Sequence, residues 1–205
     1  MQYTTHAIQC QCGQLQGTLS AASVTRLNCH CRDCQAYAHA LGNAERILDD
    51  HDGTNVVITL QQYVSITKGE ELLACLSLSE QGILRWYASC CNTPIANTAR
   101  DPQLSYVALL HTALGKSAAS LDAQFGAKRA LINTKHARGK VSASALDGLF
   151  ATARIITAVI KARANGSWQR SPFFRSGSSQ PAAIPRVLGA EERLQAFNQL
   201  HSVAR

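Results

Sequence analysis

No stretch of about 18 consecutive apolar residues occurs in this chain, so a simple membrane-spanning helix is not expected. The nearest candidate, SALDGLFATARIITAVIKARA, is broken by Asp147, Arg154 and Lys161. The opening MQYTTHAIQCQCG lacks a basic region followed by an apolar core. A signal peptide is therefore not expected, and a cytoplasmic location is the default expectation. The chain also lacks internal repeats and low-complexity tracts. Cysteine is missing from everything after Cys91, and acidic residues are scarce there too.

What is present fits a globular chain of 205 residues, 46% apolar and 16% charged. That length suffices for one well-buried domain with an extension, or for two small domains. Residues 1–114 carry 6 Lys/Arg against 9 Asp/Glu, whereas residues 115–205 carry 14 against 4. Such a basic half is ordinarily a solvated helical surface; the sharper alternative is an anionic partner. The basic residues are scattered rather than blocked, which favours the solvated surface and disfavours nucleic acid.

The first 114 residues read as short strands and turns. TNVVITL and YVSITKG are rich in β-branched residues, and GQLQGTLS alternates apolar and polar positions. ELLACLSLS, GILRWYAS and LSYVALLHT read as further strands. The texture then changes. The segment from Ala143 to Ala164 is the strongest helix, with Leu146, Leu149, Phe150, Ala153, Ile156 and Ile160 at helical spacing and Asn165-Gly166 as its stop. Its basic end would suit a membrane surface, but an apolar face needs cover, so packing on the strands is expected. Trp168, Phe173 and Phe174 should order the Ser/Gly/Pro-rich stretch that follows, and GAEERLQAFNQLHSVAR should close the chain as a short helix.

Eight cysteines are present, seven of them clustered as CQC (Cys10, Cys12), CHCRDC (Cys29, Cys31, Cys34) and CC (Cys90, Cys91). Clustered thiols in a reducing compartment point to metal ligation or redox work rather than disulfides. Short C-x-C and C-x-x-C spacings aim several thiolates at one point, and soft thiolates select zinc. The seven divide as four plus three: a closed structural shell and an open three-thiolate site. A thioredoxin-like role is disfavoured because no βαβ pattern flanks the C-x-x-C. His30 lies between two chelating neighbours and should point away. Cys75 reads as a small buried hydrophobe. Trp86 and Tyr87 read as core. His39, His51, His111, His136 and His201 read as surface or hydrogen-bonded positions, and Arg32 and Asp33 as a local ion pair or substrate contacts.

The order CQCG, NCHCRDCQ, RWYASCCNTPI resembles the glutathione-dependent formaldehyde-activating enzyme family, which includes the centromere protein V group. That family shows C-x-C-G, then C-H-C-x-x-C, then R-x-F-C-x-x-C-G-x-P-L. Gly69 also sits where the family often has glycine. The resemblance covers residues 8–114 and implies a Mss4-like β fold. It implies that Cys10 and Cys12 share a structural zinc with the late cysteine motif, and that Cys29, Cys31 and Cys34 hold a catalytic one. The implied chemistry joins glutathione and formaldehyde into S-hydroxymethylglutathione. Two departures stand out. Ala88 occupies the place of the first late cysteine, and Asn92 that of the glycine. Cys90 is the candidate replacement ligand. Adjacent cysteines share a metal only in a sharply turned backbone, and Asn tolerates the left-handed conformation such a turn needs.

The expected fold is thus mainly β: a Mss4-like zinc-binding β-sheet domain over residues 1–114, with a basic, largely helical extension over 115–205 packing on it. The expected function is a zinc-binding carbon–sulfur lyase acting on a thiol adduct, S-hydroxymethylglutathione synthase-like. Two Zn2+ per chain and a small thiol substrate, with glutathione the one implied, go with it. The ligands expected are Cys10, Cys12, Cys90 and Cys91 for the structural ion and Cys29, Cys31 and Cys34 for the working one. The alternative is a non-catalytic zinc-binding module whose basic extension meets an anionic partner. No membrane partner is expected, and the oligomeric state is open.

Overall fold

The computed structural model describes residues 4–20, 25–115, 118–127 and 129–202. The chain begins with β1 (His6–Gln9), β2 (Gln16–Leu19) and β3 (Thr25–Cys29), followed by helices α1 (Arg32–Ala40) and α2 (Ala44–Ile47). Next come β4 (Thr54–Leu60), β5 (Val64–Lys68), β6 (Leu73–Ser77), β7 (Leu84–Ala88), β8 (Thr93–Thr98) and β9 (Tyr106–Leu110). Helices α3 (His111–Leu114) and α4 (Ala118–Phe125), strand β10 (Ala130–Ile132), helix α5 (Ala145–Ala164), strand β11 (Arg186–Val187) and helix α6 (Ala190–Ser202) complete it.

The strands form two sheets, a three-stranded one ordered β1-β2-β5 and an eight-stranded one ordered β10-β3-β4-β9-β8-β7-β6-β11. Neighbours are antiparallel except for the two edge strands β10 and β11, which join β3 and β6 in parallel. With α1 and α5 packed on the large sheet and α6 packed against α1, the fold is mixed α/β rather than mainly β. The region beyond residue 114 adds β10 and β11 to the sheet as well as helices.

Strand alternation sorts the core into two layers. Val57, Val107 and Leu109 join Leu84, Trp86, Ile95 and Phe173 between the two sheets. Val56, Ile58, Ala108 and Leu110 turn the other way, toward Ala36 and Tyr37 of α1, Ala151 of α5 and Ala196 of α6. Both faces of β4 and β9 are covered, which is why these strands read as continuous apolar runs. Trp86 is fully buried, donates its Nε1 hydrogen to Thr98 Oγ1 at 3.0 Å, and packs against Phe173 with ring centroids 5.3 Å apart. Phe173 and Phe174 do order the irregular crossing, as expected.

Helix α5 runs where the sequence places it, with Ser144 capping its start and Gly166 in the left-handed conformation after its end. Its orientation corrects the expectation. The stripe expected to pack on the strands faces outward: Leu146, Leu149 and Phe150 are each 64% exposed, Ile156 52% and Ile160 61%. The helix seats itself instead by Ala151, Val159 and Ala162, with Ile155 and Ala158 beside them. The sheet face beneath is already filled by Val56, Ile58, Leu60 and Ala108, so small side chains give the closer approach.

Candidate metal centres

Two cysteine groups form among the described residues, Cys10 with Cys12, Cys90 and Cys91, and Cys29 with Cys31 and Cys34. Within each, all sulfurs lie within 4.8 Å of one another. The four-plus-three division expected from sequence is the division seen, and each group could hold a metal ion.

The first group is built from two turns facing each other. The β1–β2 connection folds tightly: Cys10 N donates to Leu15 O at 3.0 Å, Gly13 N to Cys10 O at 3.0 Å, and Leu15 N to Cys10 Sγ at 3.3 Å. The β7–β8 connection turns at Ser89–Asn92, where Cys91 N donates to Ala88 O and Asn92 takes φ 52°. That left-handed residue is the glycine substitute the turn requires. Cys90 Sγ thereby comes within 3.3 Å of Cys12 Sγ and 3.8 Å of Cys10 Sγ, while Cys10 and Cys12 are 3.5 Å apart. A tetrahedron with metal–sulfur arms of ~2.3 Å has edges of ~3.8 Å, so these separations fit a thiolate-bound ion. Ala88, in the family's cysteine position, is fully buried in the core, and Cys90 lies where a fourth ligand is needed. Burial raises the Cys91 thiol, but hydrogen bonds from Thr93 and from the Cys12 backbone bring it down to about 6. Gly69 supports the arrangement from outside: it is left-handed at φ 69°, and a Cβ there would stand 2.5 Å from Gln14 O.

The second group sits where β3 ends and α1 begins. Cys31 is the N-cap of α1, its sulfur accepting from Cys34 N at 3.4 Å, and Cys34 lies in the first turn. The positive end of the helix dipole therefore favours thiolate there. Cys29 and Cys34 are each 9% exposed, and Cys31 is half-buried. Hydrogen bonds from the Cys29 and Cys31 thiols hold Cys34 well below the usual thiol range despite its burial, with Arg85 adding its charge. Arg85 comes from β7, is 2% exposed, donates from Nη1 to Cys34 Sγ at 3.9 Å, and stacks its guanidinium 5.1 Å from the Tyr37 ring centroid. Asn133, just after β10 and itself left-handed at φ 57°, donates Nδ2 to Cys29 Sγ at 3.5 Å. Buried Gln35 joins the clasp to the neighbouring turn, donating to His30 O and His136 O at 2.9 Å each.

Arg85 also tests whether a metal suits the second group. A buried guanidinium needs an anion nearby. Three thiolates around a divalent ion leave one net negative charge, which Arg85 would offset, as it would a single Cys34 thiolate. The donor set and its counter-charge therefore fit a thiophilic ion such as zinc.

The remaining candidates fall elsewhere. His30 is 1% exposed and is not among the grouped ligand atoms, so it does turn away from the thiols. Its ring crowds Gly53, where a Cβ would stand 2.7 Å from His30 Nε2 and from the Asn28 amide. Cys75 is buried in β6 as expected, its thiol pushed up to about 12 by burial. Arg32 is exposed, its guanidinium 5.6 Å from the centroid of the Phe197 ring on α6, so it meets an aromatic ring where a local ion pair or a substrate contact was expected. His51 and His111 are hydrogen-bonded to backbone, and the side chain of His201 lies outside the described residues. Arg85 and Asn133 did not stand out in the sequence. An arginine inside the apolar run GILRWYA was a usable signal; Asn133 offered none, because only the pairing of β10 with β3 brings it to Cys29.

A family model described as a family of unknown function (DUF6151) matches residues 4–184. No curated protein matches the chain.

Proposed function

The chain belongs to the family of unknown function DUF6151, so no activity comes with membership, and we propose that it is a two-zinc protein of the carbon–sulfur lyase type, acting on a thiol adduct much as an S-hydroxymethylglutathione synthase does. In this reading residues 1–114 are a Mss4-like zinc domain and residues 115–205 an extension packed on it. Cys10, Cys12, Cys90 and Cys91 would hold a structural ion, and Cys29, Cys31 and Cys34 a working one. Zinc at the second group would supply a thiolate stabilised at neutral pH. The protein's own part is positional and electrostatic. Cys31 and Cys34 are fixed by the helix start, Asn133 donates to Cys29, and Arg85 offsets the charge of the cluster. In the reaction the substrate sulfur adds to the formaldehyde carbon and the proton ends on the new hydroxyl group. The observation that carries this reading is the buried Arg85 against a three-cysteine group, a counter-charge that suits an anionic, metal-binding site.

Condensation of formaldehyde with glutathione, followed with and without the protein, tests the activity, since the reaction also proceeds unaided. A rate above that control, abolished by Cys31→Ala, is expected. Metal analysis should find two zinc ions per chain, with Cys31→Ala and Cys90→Ala each removing only one. A rate equal to the control would favour either a thiol substrate other than glutathione or a non-catalytic zinc module, whose basic extension would then bind nucleic acid in a salt-dependent way.

A further inference from the structure

The outward face of α5 carries an apolar surface that nothing in the chain covers among the described residues. At about 100° per residue, Leu146, Leu149, Phe150, Ala153, Ile156 and Ile160 fall within an arc of roughly 120°. That arc lies nearly opposite the Ala151, Val159 and Ala162 face that seats the helix. Five of the six side chains are large and more than half exposed. Together they present on the order of 500 Å² of apolar surface, near the top of what a monomer carries.

We propose that this face is a homodimer interface in which α5 of two copies packs antiparallel about a two-fold axis at Ala153. Three features select a second copy as the occupant. First, Leu146, Leu149, Ala153, Ile156 and Ile160 alternate three- and four-residue steps, the seam of a helix pair rather than of a helix on a sheet. Second, the seam is close to symmetric about its middle. Reversed about Ala153, it sets Leu146 against Ile160 and Leu149 within one residue of Ile156, with small Ala153 at the axis where the helices approach most closely. An isologous contact requires this self-complementarity. Third, the charges complement themselves in the same register. Asp147, which already has a partner in its own chain, and Lys161 lie on one shoulder of the stripe near its two ends, so the antiparallel pair adds the lysine of the other copy to each acid's surroundings, twice. Arg154, midway along that shoulder, opposes its own copy once. A lipid surface would gain nothing from this arrangement of opposite charges. Pairing removes about 1,000–1,400 Å² in all once flanking residues are included, enough to reach the lower end of stable interfaces.

Sedimentation velocity on the full, zinc-loaded chain tests this. A concentration-dependent dimer is expected, and Leu149→Glu with Phe150→Glu should weaken it at least about 30-fold. Zinc content and melting temperature measured below the dimer's Kd should stay as in the wild type, because both side chains are exposed in the single chain. With a photo-crosslinking benzoylphenylalanine at position 146, adducts should map to residues 155–161 of the second copy. A chain still monomeric at about 100 µM, a dimer indifferent to the double substitution, or adducts confined to residues 141–154 would overturn the proposal. So would a monomer that floats with anionic phosphatidylserine vesicles through this face.

Discussion

Arg85 shows how one side chain reports on the state of its neighbours. It is 2% exposed, and its nearest anionic candidate is the sulfur of Cys34, 3.9 Å from Nη1. Removing one member of a buried charge pair costs on the order of 3 kcal/mol because the other is left uncompensated. Arg85→Met in zinc-loaded protein should therefore lower stability by about that amount and weaken the second site's zinc affinity at least tenfold. Urea melts and chelator competition measure the two effects. A stability gain on this substitution would show that the three thiols are neutral and Arg85 uncompensated, and a zinc affinity unchanged by it would show that Arg85 does not serve the metal site. Arg85 was legible as an anomaly in an apolar strand, but its partner was not. Cys34 lies 51 positions away and reaches it only because β7 turns Arg85 toward the α1 side of the sheet while Trp86 points to the other.

Single elements carry the two candidate sites. The first depends on two turns meeting, and Gly69 is the backing of one of them. Any Cβ at this left-handed position would meet Gln14 O at 2.5 Å, so the β1–β2 turn would have to move. Gly69→Ala should cost about 1–2 kcal/mol in backbone conformation alone. It should also lower zinc affinity at Cys10, Cys12, Cys90 and Cys91 while leaving the second site intact, as site-resolved metal titration of the variant would read. Strands such as Thr54–Leu60 and helix α5 were legible because β-branched runs and caps act locally. Helix α1 was not, because its apolar content is small alanines and its start is hidden inside the cysteine motif, with Cys31 as the N-cap.

Across the molecule, α1 links the two sites. It starts at Cys31 and ends about 13 Å away, at ~1.5 Å per residue, against the turn of the first group. There Asn92 Nδ2 donates to Leu41 O at 3.5 Å and Asn43 Nδ2 to Asn92 O at 3.4 Å. Loss of either ion should be felt at both ends of this helix. A ligand present at 1,000-fold over its Kd stabilises a fold by about 4 kcal/mol, worth ~2–4 °C per kcal/mol at this size. Chelation of zinc should thus lower the melting temperature by about 10 °C or more, with recovery on adding zinc back. A melt unchanged by a strong chelator would show that the cysteine groups hold no structural ion.

The four-plus-three division of the thiols, most of the strands and the extent of the long helix were legible without the fold. These rest on spacing and on side-chain preferences that act over a few residues. Only the tertiary structure decided that Cys90 lies where Ala88 cannot serve, that Arg85 and Asn133 attend the three-cysteine group, and that the larger face of α5 looks outward. Each of these depends on what distant strands already fill. Ala88 is taken up by the core between the sheets, Asn133 arrives by a strand pairing more than a hundred residues from Cys29, and the sheet beneath α5 takes its alanines, Val159 and part of Ile155.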